Sequence, residues 1–259
     1  FSSIIIAYLV LLIFIYFYQR NLLYHPSENN YQNDKIQFSY DEIFIEVDDK
    51  IKLKSWFIKK NLKKFKTLVF FHGNAGELSN RIYKLNELNK LDINILLISW
   101  RGFSGNKGSP SENNLYKDAK AAIKWLNEQN ITNDKIILYG ESLGTGVAVE
   151  IGKKNIFSSI ILESPFTSME NAAKIYYPYL PVKLLLKDKY NSISKIQAIS
   201  TPILIMHGKK DDIVPFSMGK ELFEKANSPK YSYFTSDDDH MMEFNDQMLK
   251  IIKNFIDKH

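Results

Sequence analysis

The sequence predicts an α/β fold: a mostly parallel sheet covered by helices on both faces. Three observations carry this. Two alternating segments, 42–47 and 51–58, open the globular part as a hairpin. From Thr67 onward, short apolar strands alternate with helical stretches. One strand then runs through Gly140-Glu141-Ser142-Leu143-Gly144 straight into a helix. Repeated strand–helix units give parallel pairing, and a parallel sheet buries both of its faces. At 259 residues the chain suits one large domain of this kind.

In chain order, residues 1–18 carry no charge. As a helix they cover about 27 Å at 1.5 Å per residue, enough to span the hydrocarbon core of a bilayer. Tyr16 and Tyr18 before Gln19-Arg20 read as an aromatic belt closing the span. A cleaved signal peptide is the rival, but the apolar run exceeds a usual signal core and no small-x-small site follows it. Residues 1–20 are therefore expected to be a membrane anchor, 21–35 a polar tether containing Pro26, and 36–259 the globular domain. The sequence does not fix the side of the membrane.

Within the domain, Glu42–Val47 and Ile51–Ile58 alternate at period two around Asp48-Asp49-Lys50, the pattern of a hairpin with one packed face. Buried strands are expected at 67–71, 93–99, 135–139, 159–162, 202–206 and 231–234, and helices at about 77–90, 112–130, 143–154, 217–227 and 243–257. Residues 165–200 form the one long insertion. Tyr176, Tyr177, Tyr179, Leu180 and Leu184–Leu186 make it apolar and aromatic, which suits either a cap over a greasy site or plain packing of short helices on the sheet.

Composition narrows the chemistry. The absence of cysteine rules out disulfides and thiolate catalysis. The net charge is +5, but almost all of the 34 basic residues are lysine, and Arg20, Arg81 and Arg101 are the only arginines. Nucleic-acid readers lean on arginine forks, so no nucleic-acid partner is expected. The dense run Lys59–Lys66 reads as a solvated turn, with contact to anionic lipid as the alternative. No His-Glu-x-x-His spacing or phosphate-cradling Gly-x-x-x-x-Gly-Lys occurs, so neither a metal nor another cofactor is expected. Asp237–Asp239 reads as a solvated loop.

Gly-x-Ser-x-Gly between a strand and a helix points to nucleophilic chemistry. Such a turn holds its serine in a strained backbone with the hydroxyl clear of the sheet. It closes only if residues two positions to either side lack side chains, which Gly140 and Gly144 satisfy. A serine nucleophile needs a base and an acid to orient it. Among five histidines, His25 lies in the tether, His259 ends the sequence, and His72 and His207 each close a strand before a glycine. His240 alone sits in a loop with no structural need for it, between the last strand and the last helix. The acid belongs to the turn after the 202–206 strand, where spacing leaves Asp211 and Asp212 both open. The order Ser…Asp…His follows. Backbone N–H groups of Leu143 and Asn74, with Ala75 in reserve, are the expected oxyanion donors, because helix starts and small-residue loops expose such groups.

Taken together, Tyr18–Pro26, His72-Gly73-Asn74-Ala75-Gly76, Trp100–Pro110, the Ser142 turn, Glu163–Ser168 and the acid loop resemble the membrane-anchored α/β-hydrolases of the Bem46 and ABHD13-like group along nearly the whole chain. The resemblance implies an α/β-hydrolase fold with an antiparallel N-terminal hairpin and a short helical cap, preceded by one transmembrane helix. It implies Asp211 rather than Asp212 as the acid, four residues after the strand-closing His207. In that group a small residue precedes the catalytic histidine; Asp239 stands there in this chain and puts negative charge beside the base. The serine excludes the aspartate-nucleophile chemistry of haloalkane and epoxide hydrolases. The expectation is a membrane-tethered serine hydrolase acting on lipid-like acyl esters or thioesters. A serine peptidase or amidase on the same triad, and a non-catalytic membrane interaction protein on a hydrolase scaffold, are the alternatives. Oligomeric state is left open.

Overall fold

The computed structural model describes residues 2–27, 35–47 and 50–259. Residues 28–34 of the expected tether, and Asp48 and Asp49 of the expected hairpin turn, lie outside the described residues.

The chain opens with helix α1 (Ser2–Leu23), none of whose residues is buried. It is long and apolar enough to cross a membrane. It continues past Arg20 to Leu23, and the chain that follows is held on the domain. Tyr24 is buried, with its hydroxyl 2.8 Å from that of Tyr190 and 3.1 Å from Asp188. Burial and the Asp188 carboxylate push the Tyr24 phenol well above its ordinary range, so it stays neutral. Strand β1 (His25–Pro26) then pairs in parallel with a two-residue strand further on, Ala75–Gly76.

The hairpin forms as expected from β2 (Asp41–Glu46) and β3 (Lys52–Ile58), with Ile45 opposite Leu53 and Ile43 opposite Ser55. Next come β4 (Thr67–Phe71), β5 (Ala75–Gly76), α2 (Ile82–Leu88), β6 (Asn94–Ile98) and α3 (Glu112–Glu128). They are followed by β7 (Ile136–Glu141), α4 (Leu143–Gly152) and β8 (Ser159–Glu163). The insertion holds α5 (Met169–Tyr176) and α6 (Val182–Leu185). The chain ends with β9 (Ile203–Gly208), α7 (Phe216–Lys225), β10 (Lys230–Thr235) and α8 (Asp246–Lys258).

All six expected strands are present, five of them wholly buried; β10, expected to be buried, is half-buried because it lies at the edge of the sheet and has a neighbour on one side only. The last helix begins three residues later than expected because Asn245 caps it, its side chain accepting the Met248 N–H at 3.0 Å. The helix expected over 77–90 is split into a tight turn, Leu78–Arg81, and α2.

Eight strands pair in the order β2-β3-β6-β4-β7-β8-β9-β10, parallel from β6 onward and antiparallel at both pairings of β3. Period-two alternation divides β4 between two cores: Val69 and Phe71 face the α3 and α4 side, Leu68 and Phe70 the α2 and α8 side. With both faces covered, the open positions are the strand ends. The carboxyl ends of β4, β7, β8, β9 and β10 lead into the loops that carry the candidate site.

Candidate active site

Ser142 follows β7 directly, with φ 49° and ψ −114°. A side-chain-bearing residue in such a conformation carries about 1–3 kcal/mol of strain, which the surroundings must impose. They do so by packing. A Cβ at Gly144 would lie 1.9 Å from the Phe71 carbonyl oxygen, and one at Gly140 would lie 2.6 Å from the Gly144 carbonyl oxygen. The Ser142 N–H is tied to the Glu163 carbonyl at 2.9 Å.

His240 comes from the loop after β10. Its Nε2 is 2.9 Å from Ser142 Oγ and its Nδ1 is 2.8 Å from Asp211 Oδ2. The loop is held from below: the Ser164 hydroxyl donates to the His240 carbonyl at 2.9 Å, and the Lys210 N–H donates to the Asp238 carbonyl at 3.1 Å.

Asp211 is buried, and its other oxygen accepts the N–H groups of Ile213 at 2.9 Å and Val214 at 2.7 Å. Burial alone would raise its carboxyl. Hydrogen bonds from His207, His240 and the Val214 N–H outweigh that and hold it well below the usual carboxylate range. Asp212 is exposed; of the two candidates left open by spacing, Asp211 is the one that contacts His240.

His25, expected in the tether, lies in β1 against Ala75, while His72 and His207 stand at strand ends as expected. His72 is buried, with Nδ1 2.8 Å from the Gly73 carbonyl and Nε2 accepting the Trp100 N–H at 3.3 Å. Burial and the neighbouring Arg81 lower its pKa to about 3, so it is a neutral structural residue. His207 Nε2 lies 2.9 Å from the Val214 carbonyl, but also 3.0 Å from Asp211 Oδ2. One carboxylate oxygen thus faces both His207 and His240. From the sequence His207 is marked only as closing a strand before Gly208.

Asn74 and Leu143 line the same cavity as Ser142. Leu143 opens α4, where N–H groups have no partner within the helix. The Asn74 side chain donates to the Leu23 carbonyl at 2.8 Å, and its own carbonyl accepts the His25 N–H at 2.8 Å. Gly73 is not a free donor, since its N–H points at Glu141 Oε1 at 3.3 Å.

A cluster absent from the sequence reading lies directly behind the turn. Lys84 Nζ is 2.7 Å from both Glu141 and Glu163, Arg81 is 2.6 Å from Glu141, and the Tyr139 hydroxyl donates to Glu163 at 2.5 Å. All five side chains are buried. Burial opposes every charge here, yet the two cations beside Glu141 hold its carboxyl well below its ordinary range, and the two carboxylates hold the Lys84 ammonium above its own. Glu163, which shares a single cation, is instead raised by burial.

The strand order, the strained serine turn at the end of β7, and the acid and histidine loops after β9 and β10 define an α/β-hydrolase. An esterase from Pyrococcus furiosus has the same fold, with a TM-score of 0.73 and 19% identity over 91% of this chain and 97% of that one. Among curated proteins, an uncharacterized protein of Mycobacterium tuberculosis is 35% identical over 222 residues, which is 85% of this chain and 79% of that protein. Protein bem46 of Schizosaccharomyces pombe is 31% identical over 240 residues, 87% of this chain and 80% of that one. Residues 107–256 match the prolyl oligopeptidase family. The chain belongs to that family and to the Bem46 and ABHD-like group of hydrolases.

Proposed function

We propose that the protein is a membrane-anchored serine hydrolase that cleaves acyl esters or thioesters through an acyl-enzyme on Ser142. The observation that carries this reading is the line of contacts Ser142 Oγ, His240 Nε2, His240 Nδ1, Asp211 Oδ2, at 2.9 and 2.8 Å. A hydroxyl, an imidazole and an ionised carboxylate in that order can move a proton away from the hydroxyl as it attacks.

In the first half of the reaction, His240 Nε2 takes the Ser142 proton while Oγ bonds to the acyl carbon. The carbonyl oxygen becomes an oxyanion, which the Leu143 and Asn74 N–H groups stabilise. Asp211 keeps the Nδ1 proton directed toward itself and offsets the positive imidazolium. His240 then returns its proton to the leaving alkoxide or thiolate as the bond to that group breaks. In the second half, a water gives a proton to Nε2 and attacks the acyl carbon; collapse releases the carboxylic acid and restores Ser142.

The apolar cavity beside Ser142 supports an acyl rather than a polar substrate. The length and apolar composition of α1 support retention at a membrane. Membership of a family described by a peptidase is the one observation that favours amide cleavage as a second reading. Ser142→Ala is expected to abolish labelling by a fluorophosphonate probe, read on a gel with purified protein. Labelling that persists in this variant overturns the assignment. Turnover of an aminoacyl amide in preference to an ester would favour the second reading.

A further inference from the structure

The cavity that ends at Ser142 is not enclosed by the hydrolase domain alone. It measures about 360 Å³, and its walls include Met169, Tyr176 and Leu185 of the insertion on one side and Leu11, Ile15 and Leu22 of α1 on the other. The three α1 residues recur at intervals of four and seven, so they share one helix face. From Leu11 to Leu22 that face runs about 16 Å along the axis at 1.5 Å per residue.

Polar contacts hold the helix against the insertion along most of this length. The Tyr8 hydroxyl donates to the Tyr179 carbonyl at 2.8 Å. The Gln19 side chain donates to the Leu185 carbonyl at 2.9 Å and accepts the Lys187 N–H at 2.8 Å. Arg20 pairs with Asp188 at 2.9 Å. Helix and cap therefore form one wall.

The remaining faces of α1 point away from the protein, with Ile4, Ile6, Val10, Ile13 and Phe17 more than half exposed. Beside them on the insertion, Tyr177, Tyr179 and Leu184 are also exposed. Aromatic side chains with a polar tip suit the boundary between headgroups and acyl chains, and a bare apolar helix suits the lipid itself. These exposed apolar and aromatic side chains adjoin the two walls of the cavity, on α1 and on the insertion.

We infer that this cavity holds the long acyl chain of a substrate resident in the bilayer, that α1 is half of the acyl-binding wall, and that the chain enters sideways from the membrane. The inference rests on the serine-hydrolase reading for the bond that is cleaved. A short acyl group occupies only the Ser142 end, whereas a long one extends along the α1 face.

The test uses the full chain in phosphatidylcholine vesicles, with p-nitrophenyl butyrate and p-nitrophenyl palmitate as probes. Ile15→Trp fills the cavity from the α1 side, and Ala173→Trp, another lining position, from the cap side. Ile13→Trp, which faces away from the protein, is the control. The palmitate-to-butyrate ratio of kcat/KM is expected to fall by about tenfold or more in the first two variants and to stay as it is in the third. An unchanged ratio in Ile15→Trp overturns the inference. So does an equal fall in Ile13→Trp, which would make the effect one of membrane insertion.

Binding of a fluorescent palmitate analogue to Ser142→Ala, with and without Ile15→Trp, decides the pocket without any turnover. Weaker binding in the double variant supports it, and equal binding overturns it. Loss of all ester hydrolysis in the unaltered protein would overturn the hydrolase reading instead.

Discussion

Behind Ser142 the side chains are charged, paired and closed to solvent: Lys84 lies 2.7 Å from both Glu141 and Glu163, with Arg81 and Tyr139 completing the set. In front of it, α1 and the insertion meet across an apolar cavity, and the polar contacts lie along its edge. The rear is fixed by electrostatics in a place water does not reach, where each charge depends on its partner. The front is fixed by segments more than 160 residues apart in the chain, through a few partly exposed bonds. On the function proposed above, chemistry and substrate choice thus rest on different forces, and they should fail separately.

Asp211→Asn is the largest expected break in that comparison. An amide holds His240 in the wrong tautomer, so kcat should fall by about 10⁴-fold, while Asp212→Asn should stay within about threefold. Ester kinetics on the two purified variants measure this, and the reverse ranking would place the acid at the wrong residue. Next in size is Lys84→Met, which leaves buried Glu163 without its one cation and Glu141 with Arg81 alone. It should lower stability by about 3–5 kcal/mol in denaturant unfolding and leave the long-to-short acyl preference where it was. A shifted preference would mean that rear and front are not separable.

The smallest effect is in pH. Because the folded state depresses the Asp211 carboxyl, the stability it lends is complete above the ordinary value of about 3.9 and is lost only as pH falls through the lower folded value. The stability difference between unaltered protein and Asp211→Asn should therefore be constant from about pH 7 to about pH 4 and narrow below that. A difference that grows or decays within the upper range would show that another group sets it.

The front and rear also differed in how far the sequence revealed them. The buried strands and the serine turn were readable because each is a local demand: an apolar run bounded by turn residues, or two glycines whose side chains would collide with backbone. His240 stood out because its loop gave it nothing else to do. The charged cluster did not stand out, since Arg81, Lys84, Glu141 and Glu163 singly look like solvated residues. One signal was present. Glu141 and Glu163 each end a wholly buried strand, and the two strands pair with those residues side by side. Two acids closing neighbouring buried strands demand cations nearby. The role of α1 in the cavity wall had no comparable signal, because nothing in a uniformly apolar helix marks which face meets protein.

The chain just after α1 ties that helix to the candidate site. Leu23 receives the Asn74 side-chain amide, the His25 N–H holds the Asn74 carbonyl, and the Ser27 N–H bonds the Gly76 carbonyl at 3.2 Å, so β1 serves as a splint along the loop beside Ser142. A version of this protein trimmed to its globular part would lose that splint together with the α1 side of the cavity. Trimming would thus alter the catalyst itself, and, on the membrane-anchored reading proposed above, its address as well.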